Sequence, residues 1–152
     1  MRLPSALPRT LASTPVFWWA CALSAPPIAF AAAAAGLGMA TPDPPRDIAT
    51  IALWSIAEEI VFRGALQPAL AHAFARRFPV ALLTPANLVT SIVFAAFHLW
   101  RHSIAAALAV FPVSLVFGRA RELSGRVWPA AVLHVVFNLL LYAASALLAS
   151  VR

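Results

Sequence analysis

Charge is scarce in this chain. Of its 152 residues only 11% are charged, and just five are acidic. A soluble domain carries about a quarter charged residues, so this composition does not supply a water-facing surface. Lysine is absent, since all eleven basic residues are arginine. They form no basic cluster interleaved with exposed aromatics, so the net charge of +6 reads as topology-setting charge and excludes a nucleic-acid interface. The single Cys21 excludes an intramolecular disulfide and a cysteine metal framework. With no histidine near it in sequence, it reads as a packed small hydrophobe. Glycine-rich phosphate loops, strand-like alternation, internal repeats and long polar linkers are all missing, which leaves one domain.

What the chain has in abundance is apolar sequence, 62% of it, punctuated by prolines and arginines. Arg2 and Arg9 precede an apolar run over about 15–40. That run exceeds a signal-peptide core and no polar cleavage region follows it, so it reads as a first span, bent at Pro26-Pro27. Residues 41–47 form a proline-rich loop, and Asp47 is the expected N-cap of a second span over 48–74. Arg76, Arg77 and Pro79 end that span. Thr84-Pro85 pairs an N-cap with proline at the first helical position and opens a third span near 85–100. A fourth runs over about 103–118, followed by a loop carrying Arg119, Arg121, Glu122 and Ser124-Gly125-Arg126. Trp128-Pro129 starts a fifth span that ends near Ser150. The expected fold is all-α, a polytopic transmembrane helix bundle of about five spans. Residues 1–47 supply the tail, first span and loop, and 48–141 the core. Trp18, Trp19, Trp100 and Trp128 fall near span ends, as interface anchors do.

Five spans put Arg2, Arg9, Arg76, Arg77, Arg119, Arg121 and Arg126 on the N-terminal side. Arg46, Arg101 and Arg152 fall on the other side, with Arg63 inside the bilayer. The positive-inside rule then places the N-terminus in the cytoplasm, for a protein of the cell inner membrane. The loop arginines are also able to meet anionic lipid. This topology separates His98, near the outer boundary, from His134, near the inner end of the fifth span. They meet only if the third and fourth spans are short, tilted or re-entrant.

Three polar constellations interrupt the apolar helices: Glu58-Glu59-x-x-x-Arg63, Phe94-x-x-x-His98 and His134-x-x-x-Asn138. An ionisable group in a bilayer is costly, so it is normally paired and marks a functional site. Glu59 and Arg63 are four apart, share a helix face, and stand in the favourable order with the acid first. Glu58 is turned about 100° away and is the less neutralised acid. The other two motifs each set their residues on one helix face. Taken together and in this order, the motifs resemble those of the CPBP family of intramembrane proteases, related to the type II CAAX prenyl endopeptidases and also known as Abi proteins. The similarity runs over about 48–141 and includes Gly118 and the Ser124-Gly125-x-x-Trp128-Pro129 stretch.

The resemblance implies a helical membrane peptidase with no covalent intermediate. Glu58 would be the general base that activates water, and His98 would bind or polarise that water. His134 and Asn138 would hold the oxyanion, while Glu59 and Arg63 brace the site. It also implies a membrane-anchored protein or peptide substrate, cut near its C-terminus or anchor, and no cofactor. Short members resemble the processing proteases of C-terminal sorting signals, and the Arg-only, Ala-rich composition is bacterial in character.

Other readings compete. A zinc peptidase would use Glu58, His98 and His134 as ligands around an activated water, although no His-Glu-x-x-His pairing is present. A non-catalytic scaffold, immunity-type partner or proton-handling carrier would also bury glutamate and histidine, but five spans without a repeat are few for alternating access. Each motif alone has a bland explanation, as a packing clasp or a hydrogen-bonded core histidine. It is their co-occurrence that favours a catalytic site. His72 and His102 match no motif and sit beside arginines at helix ends. Trp54, one turn before Glu58, reads as packing or as a wall of the site.

Overall fold

The structure, a computed structural model, describes residues 47–74 and 84–150, with side chains described to residue 143. The expected first span with its Pro26-Pro27 bend, Cys21, Arg76 and Arg77 lie outside the described residues. Every element among the described residues is helical: α1 (Ile48–Glu59), a π-helical segment (Ile60–Leu66), α2 (Gln67–Phe74), α3 (Pro85–His98), α4 (Ile104–Ser124) and α5 (Trp128–Ser150). α1 packs on α5, α3 packs on α2 and α4, and α4 packs on α5.

The helices start where capping chemistry dictates. Asp47 accepts from the Thr50 backbone N–H at 2.6 Å, and hydrogen bonds from Thr50 hold its carboxyl below the usual carboxylate range. Thr84 accepts from the Asn87 N–H at 3.1 Å with Pro85 at the first position, and Ser103 accepts from the Ala106 N–H at 3.3 Å. One boundary differs from expectation. Arg119, Arg121 and Glu122, expected in a loop, lie within α4, which continues to Ser124. Tertiary contacts hold them there. Glu122 pairs with Arg119 at 3.3 Å, accepts from Gln67 Nε2 at 3.2 Å, and also accepts from the Thr84 hydroxyl. The helix stops at Gly125, whose φ of 67° is the left-handed cap that glycine adopts freely, with its N–H bonded to the Arg121 carbonyl at 3.0 Å.

The bundle buries Phe94, Phe117, Leu133 and Phe137, but it also buries many polar groups and exposes many large apolar ones, unlike a water-soluble protein. Ser55, Glu59, Arg63, Gln67, Asn87, Thr90, Ser91, Ser114 and His134 are buried, whereas Leu53, Trp54, Ile60, Val61, Phe97 and Trp100 are exposed. A soluble monomer rarely exposes contiguous apolar surface on this scale. In a bilayer the same arrangement is the stable one, because the outer face meets hydrocarbon and every polar group must find a partner inside. Trp54, 64% exposed, belongs to this outer face and neither packs in the core nor walls the site.

α4 is the described helix long and apolar enough to cross a membrane by itself. α3, with 14 residues, rises only about 21 Å at 1.5 Å per residue, short of a hydrocarbon core of about 30 Å. The separation expected between His98 and His134 is not found. The Phe94 ring lies 4.7 Å from that of His98 and 5.8 Å from that of His134.

Buried alanines at 86, 95, 106, 107, 120, 130 and 131 let these helices approach closely, as small residues do in membrane bundles. The tightest contact is α3 on α4. Asn87 donates to the Leu115 carbonyl at 3.0 Å, and a Cβ added at Gly118 would lie 1.8 Å from Asn87 Oδ1. Gly118→Ala is therefore expected to lower the melting temperature of the detergent-purified protein, with an overpacking cost of about 1–3 kcal/mol or more. An unchanged melt would show that the two helices have room to part.

Candidate active site

Residues Ser55, Glu59, Arg63 and Gln67 are spaced by four and are all buried, at 1%, 0%, 0% and 2% exposure. In a regular α-helix each step of four drifts about 40° around the axis, which would carry this stripe off its face. The π segment from Ile60 to Leu66 prevents that. The Gln67 N–H reaches back five residues to the Phe62 carbonyl, and the wider turn reverses the drift. Arg121 Nε donates to the Arg63 carbonyl inside this segment at 3.0 Å and ties it to α4.

Arg63 sits at the centre of the stripe. Its Nη1 donates to Glu59 Oε1 at 2.9 Å, and its Nη2 donates to the Ser114 carbonyl at 2.8 Å and hydroxyl at 2.5 Å. The guanidinium lies 4.6 Å from the centre of the Phe94 ring and 5.6 Å from that of Phe117, within cation–π range. Polar acceptors at Nη1 and Nη2 and the aromatic faces together stand in for water around this cation, while its buried Nε is left without a partner among the described residues.

Glu59 Oε1 has a second partner, His134 Nδ1 at 2.9 Å. An ionised carboxylate only accepts, so Nδ1 carries the proton and Nε2 is the ring nitrogen left for other work. The ring is held in place by stacking on Phe117 at 4.9 Å. His134 Nε2 stands 3.9 Å from Glu58 Oε2, within ion-pair range and beyond a direct hydrogen bond. Glu58 is the more open of the two acids, its side chain 27% exposed against 0% for Glu59. Glu59 is thus the acid paired with Arg63, and Glu58 the more exposed one.

The remaining two site residues attach at the edges. Asn138 Nδ2 donates to the Ser55 hydroxyl at 2.9 Å, one turn below Glu59 on α1. His98 Nδ1 lies 2.8 Å from the Phe94 carbonyl; since that oxygen can only accept, Nδ1 bears a proton and Nε2 is the nitrogen left for other work. His102 stacks on His98 with ring centres 5.9 Å apart, and His72 is exposed. Glu58, Glu59, Arg63 and His134 therefore form one cluster, to which Phe94 joins His98 and Ser55 joins Asn138.

Among the described residues no group of three His, Cys, Asp or Glu side chains is arranged to hold a metal ion, and this includes Glu58, His98 and His134. The arrangement holds groups that acid–base work uses. It offers an open carboxylate, an imidazole nitrogen beside it, and an amide whose nitrogen is fixed.

Sequence reasoning missed Ser55, Gln67 and Ser114. The first two had a signal, the four-residue spacing that continues the Glu59–Arg63 pair in both directions. Ser114 had none, because a lone serine in an apolar helix is silent until the fold sets it against the guanidinium.

A family model described as type II CAAX prenyl endopeptidase Rce1-like matches residues 43–140. No curated protein and no solved structure matches the chain.

Removing Arg63 leaves the Glu59 charge buried without its cation. Arg63→Ala is expected to destabilise the protein by about 3–5 kcal/mol, read as a loss of folded protein in detergent melts. Arg63→Lys restores the charge but not the two-pronged reach to Glu59 and Ser114, so it should recover only part of that loss.

Proposed function

The chain belongs to the Rce1-like family of type II CAAX prenyl endopeptidases, and from that premise we propose that it is an intramembrane glutamic endopeptidase with Glu58 as its base. The family is one of integral membrane proteases. The observation that carries the finer reading is the unequal treatment of the two glutamates. Glu59 Oε1 is taken by Arg63 and His134, while Glu58 stays half-open with an imidazole nitrogen 3.9 Å away.

In this reading a water sits against Glu58 and hydrogen-bonds to the free Nε2 of His98. Glu58 takes one proton as the water oxygen attacks the scissile carbonyl carbon. The carbonyl oxygen becomes an oxyanion and accepts from Asn138 Nδ2–H and from Nε2–H of His134, whose Nδ1–H stays on Glu59. Collapse of the tetrahedral intermediate breaks the C–N bond, and Glu58 returns its proton to the leaving amine. General-base catalysis contributes about 10²–10⁴-fold to such a reaction, and each oxyanion donor about 10²–10³-fold. Glu59 and Arg63 do no proton transfer; they hold His134 in register.

The substrate is a membrane-anchored protein or peptide cut near its C-terminus or anchor, with processing of C-terminal sorting signals as the narrower role. The chain would sit in the inner membrane as a multi-pass protein of about five spans with a cytoplasmic N-terminus.

Two experiments test this. Replacing the native copy with Glu58→Gln, at matched abundance, should leave one or a few membrane proteins with an uncut C-terminal segment in intact-mass comparison. Unchanged termini together with a rescued knockout phenotype would move the reading to a scaffold.

The second uses protein reconstituted in phosphatidylethanolamine–phosphatidylglycerol vesicles. Two reporter peptides are offered, one farnesylated and ending in a CAAX sequence, the other unprenylated with a transmembrane anchor. Glu58→Gln should lower cleavage about 10³-fold, and dialysis against EDTA should leave the wild-type rate unchanged. Loss of activity on dialysis, restored by zinc, would establish the metallopeptidase alternative with Glu58, His98 and His134 as ligands.

A further inference from the structure

Two contacts between α1 and α5 form a pattern that the catalytic roles above do not account for. Ser55 meets Asn138 and Glu59 meets His134, each at 2.9 Å. The partners are four residues apart on both helices and run in opposite order, so α1 and α5 are antiparallel and the contacts are successive rungs about 6 Å apart. One rung fixes the imidazole of the oxyanion site. The other fixes its amide.

We propose that Ser55 is a positioning residue for Asn138, an inference that rests on the peptidase reading of the site. The terminal torsion of asparagine is broad and two-fold, so an unrestrained amide presents either its NH2 or its carbonyl oxygen in a given direction. Only the NH2 stabilises an oxyanion; the carbonyl would repel it. In the structure Asn138 spends one N–H on the Ser55 hydroxyl, which leaves the second N–H of the same nitrogen for substrate. Ser55 is 1% exposed, so no water competes for that contact. Its neighbour one turn on, Glu59, is wholly buried and anchored to Arg63, which makes α1 a rigid support for both rungs. Ser55 touches neither water nor substrate. Its effect passes entirely through the amide.

The test compares Ser55→Ala, Asn138→Ala and the double variant in the reconstituted assay with the same two reporter peptides. Ser55→Ala should lower kcat about tenfold with KM within about twofold, a fraction of the ~10²–10³ that loss of an oxyanion donor costs. The double variant should be no slower than Asn138→Ala alone, because without the amide there is nothing for the serine to position. Ser55→Thr, which restores the hydroxyl, should recover part of the rate. Detergent melts of each variant separate a loss of kcat from a loss of folded protein. A Ser55→Ala enzyme with wild-type kcat would overturn the inference while leaving the peptidase reading intact. So would multiplicative losses in the double variant, since they would show that Ser55 acts independently of Asn138. Absence of wild-type cleavage on both reporters, with unchanged membrane-protein termini in the Glu58→Gln strain, would overturn the peptidase reading and this inference with it.

Discussion

A single carboxylate oxygen, Glu59 Oε1, is the point on which this architecture turns. It is fully buried and accepts from the Arg63 guanidinium and from His134 Nδ1, both at 2.9 Å. Burying a charge in an apolar bundle is tolerable only when its partner is close and hydrogen-bonded. That requirement propagates outward. Arg63 needs acceptors and finds them in the Ser114 carbonyl and hydroxyl on α4, as well as in Glu59. His134 needs its ring held and finds Phe117 on α4. One ion pair on a single helix thus recruits α4 and α5 and fixes how three helices meet.

The rest of the bundle serves this centre by economy of size. Alanine at 86, 95, 106, 107, 120, 130 and 131, and glycine where Gly118 meets Asn87, bring backbones close enough for side-chain amides and hydroxyls to reach across. The π segment is a local departure from ideal helix geometry with a clear consequence, because it keeps Ser55, Glu59, Arg63 and Gln67 on one buried line. π-Bulges are frequent at functional sites. The outer surface is left to leucine, isoleucine, valine and aromatic side chains, which a lipid environment accepts.

Chemistry follows from asymmetry. Two adjacent glutamates of the same type have been given different surroundings, one closed with two donors on its Oε1, the other half-open beside an imidazole. The histidines are differentiated in the same manner: each commits Nδ1, His134 to a carboxylate and His98 to a backbone carbonyl, so that each is left with one free nitrogen. Membership of a protease family then gives this asymmetry a direction, toward hydrolysis of a peptide bond in the membrane.

Much of this was readable in the chain before it was folded. The all-helical class, the capping of α1 and α3 by Asp47 and Thr84, the Glu59–Arg63 pair and the relative freedom of Glu58 follow from composition and local spacing. These are short-range properties, set within about one helical turn. What spacing could not reach is decided by contacts between helices, made by residues 38 to 83 apart in sequence. Ser114 becomes a ligand of Arg63 and Ser55 a partner of Asn138 only once helices are placed side by side. α4 extends past its expected end because Gln67 and Thr84 satisfy Glu122 from other helices. His98 and His134 come together across Phe94 only in the packed bundle. A sequence pattern states which residues a helix will bury; which partner then meets each buried group is a property of the packed bundle alone, since hydrogen bonds between helices have no local signature.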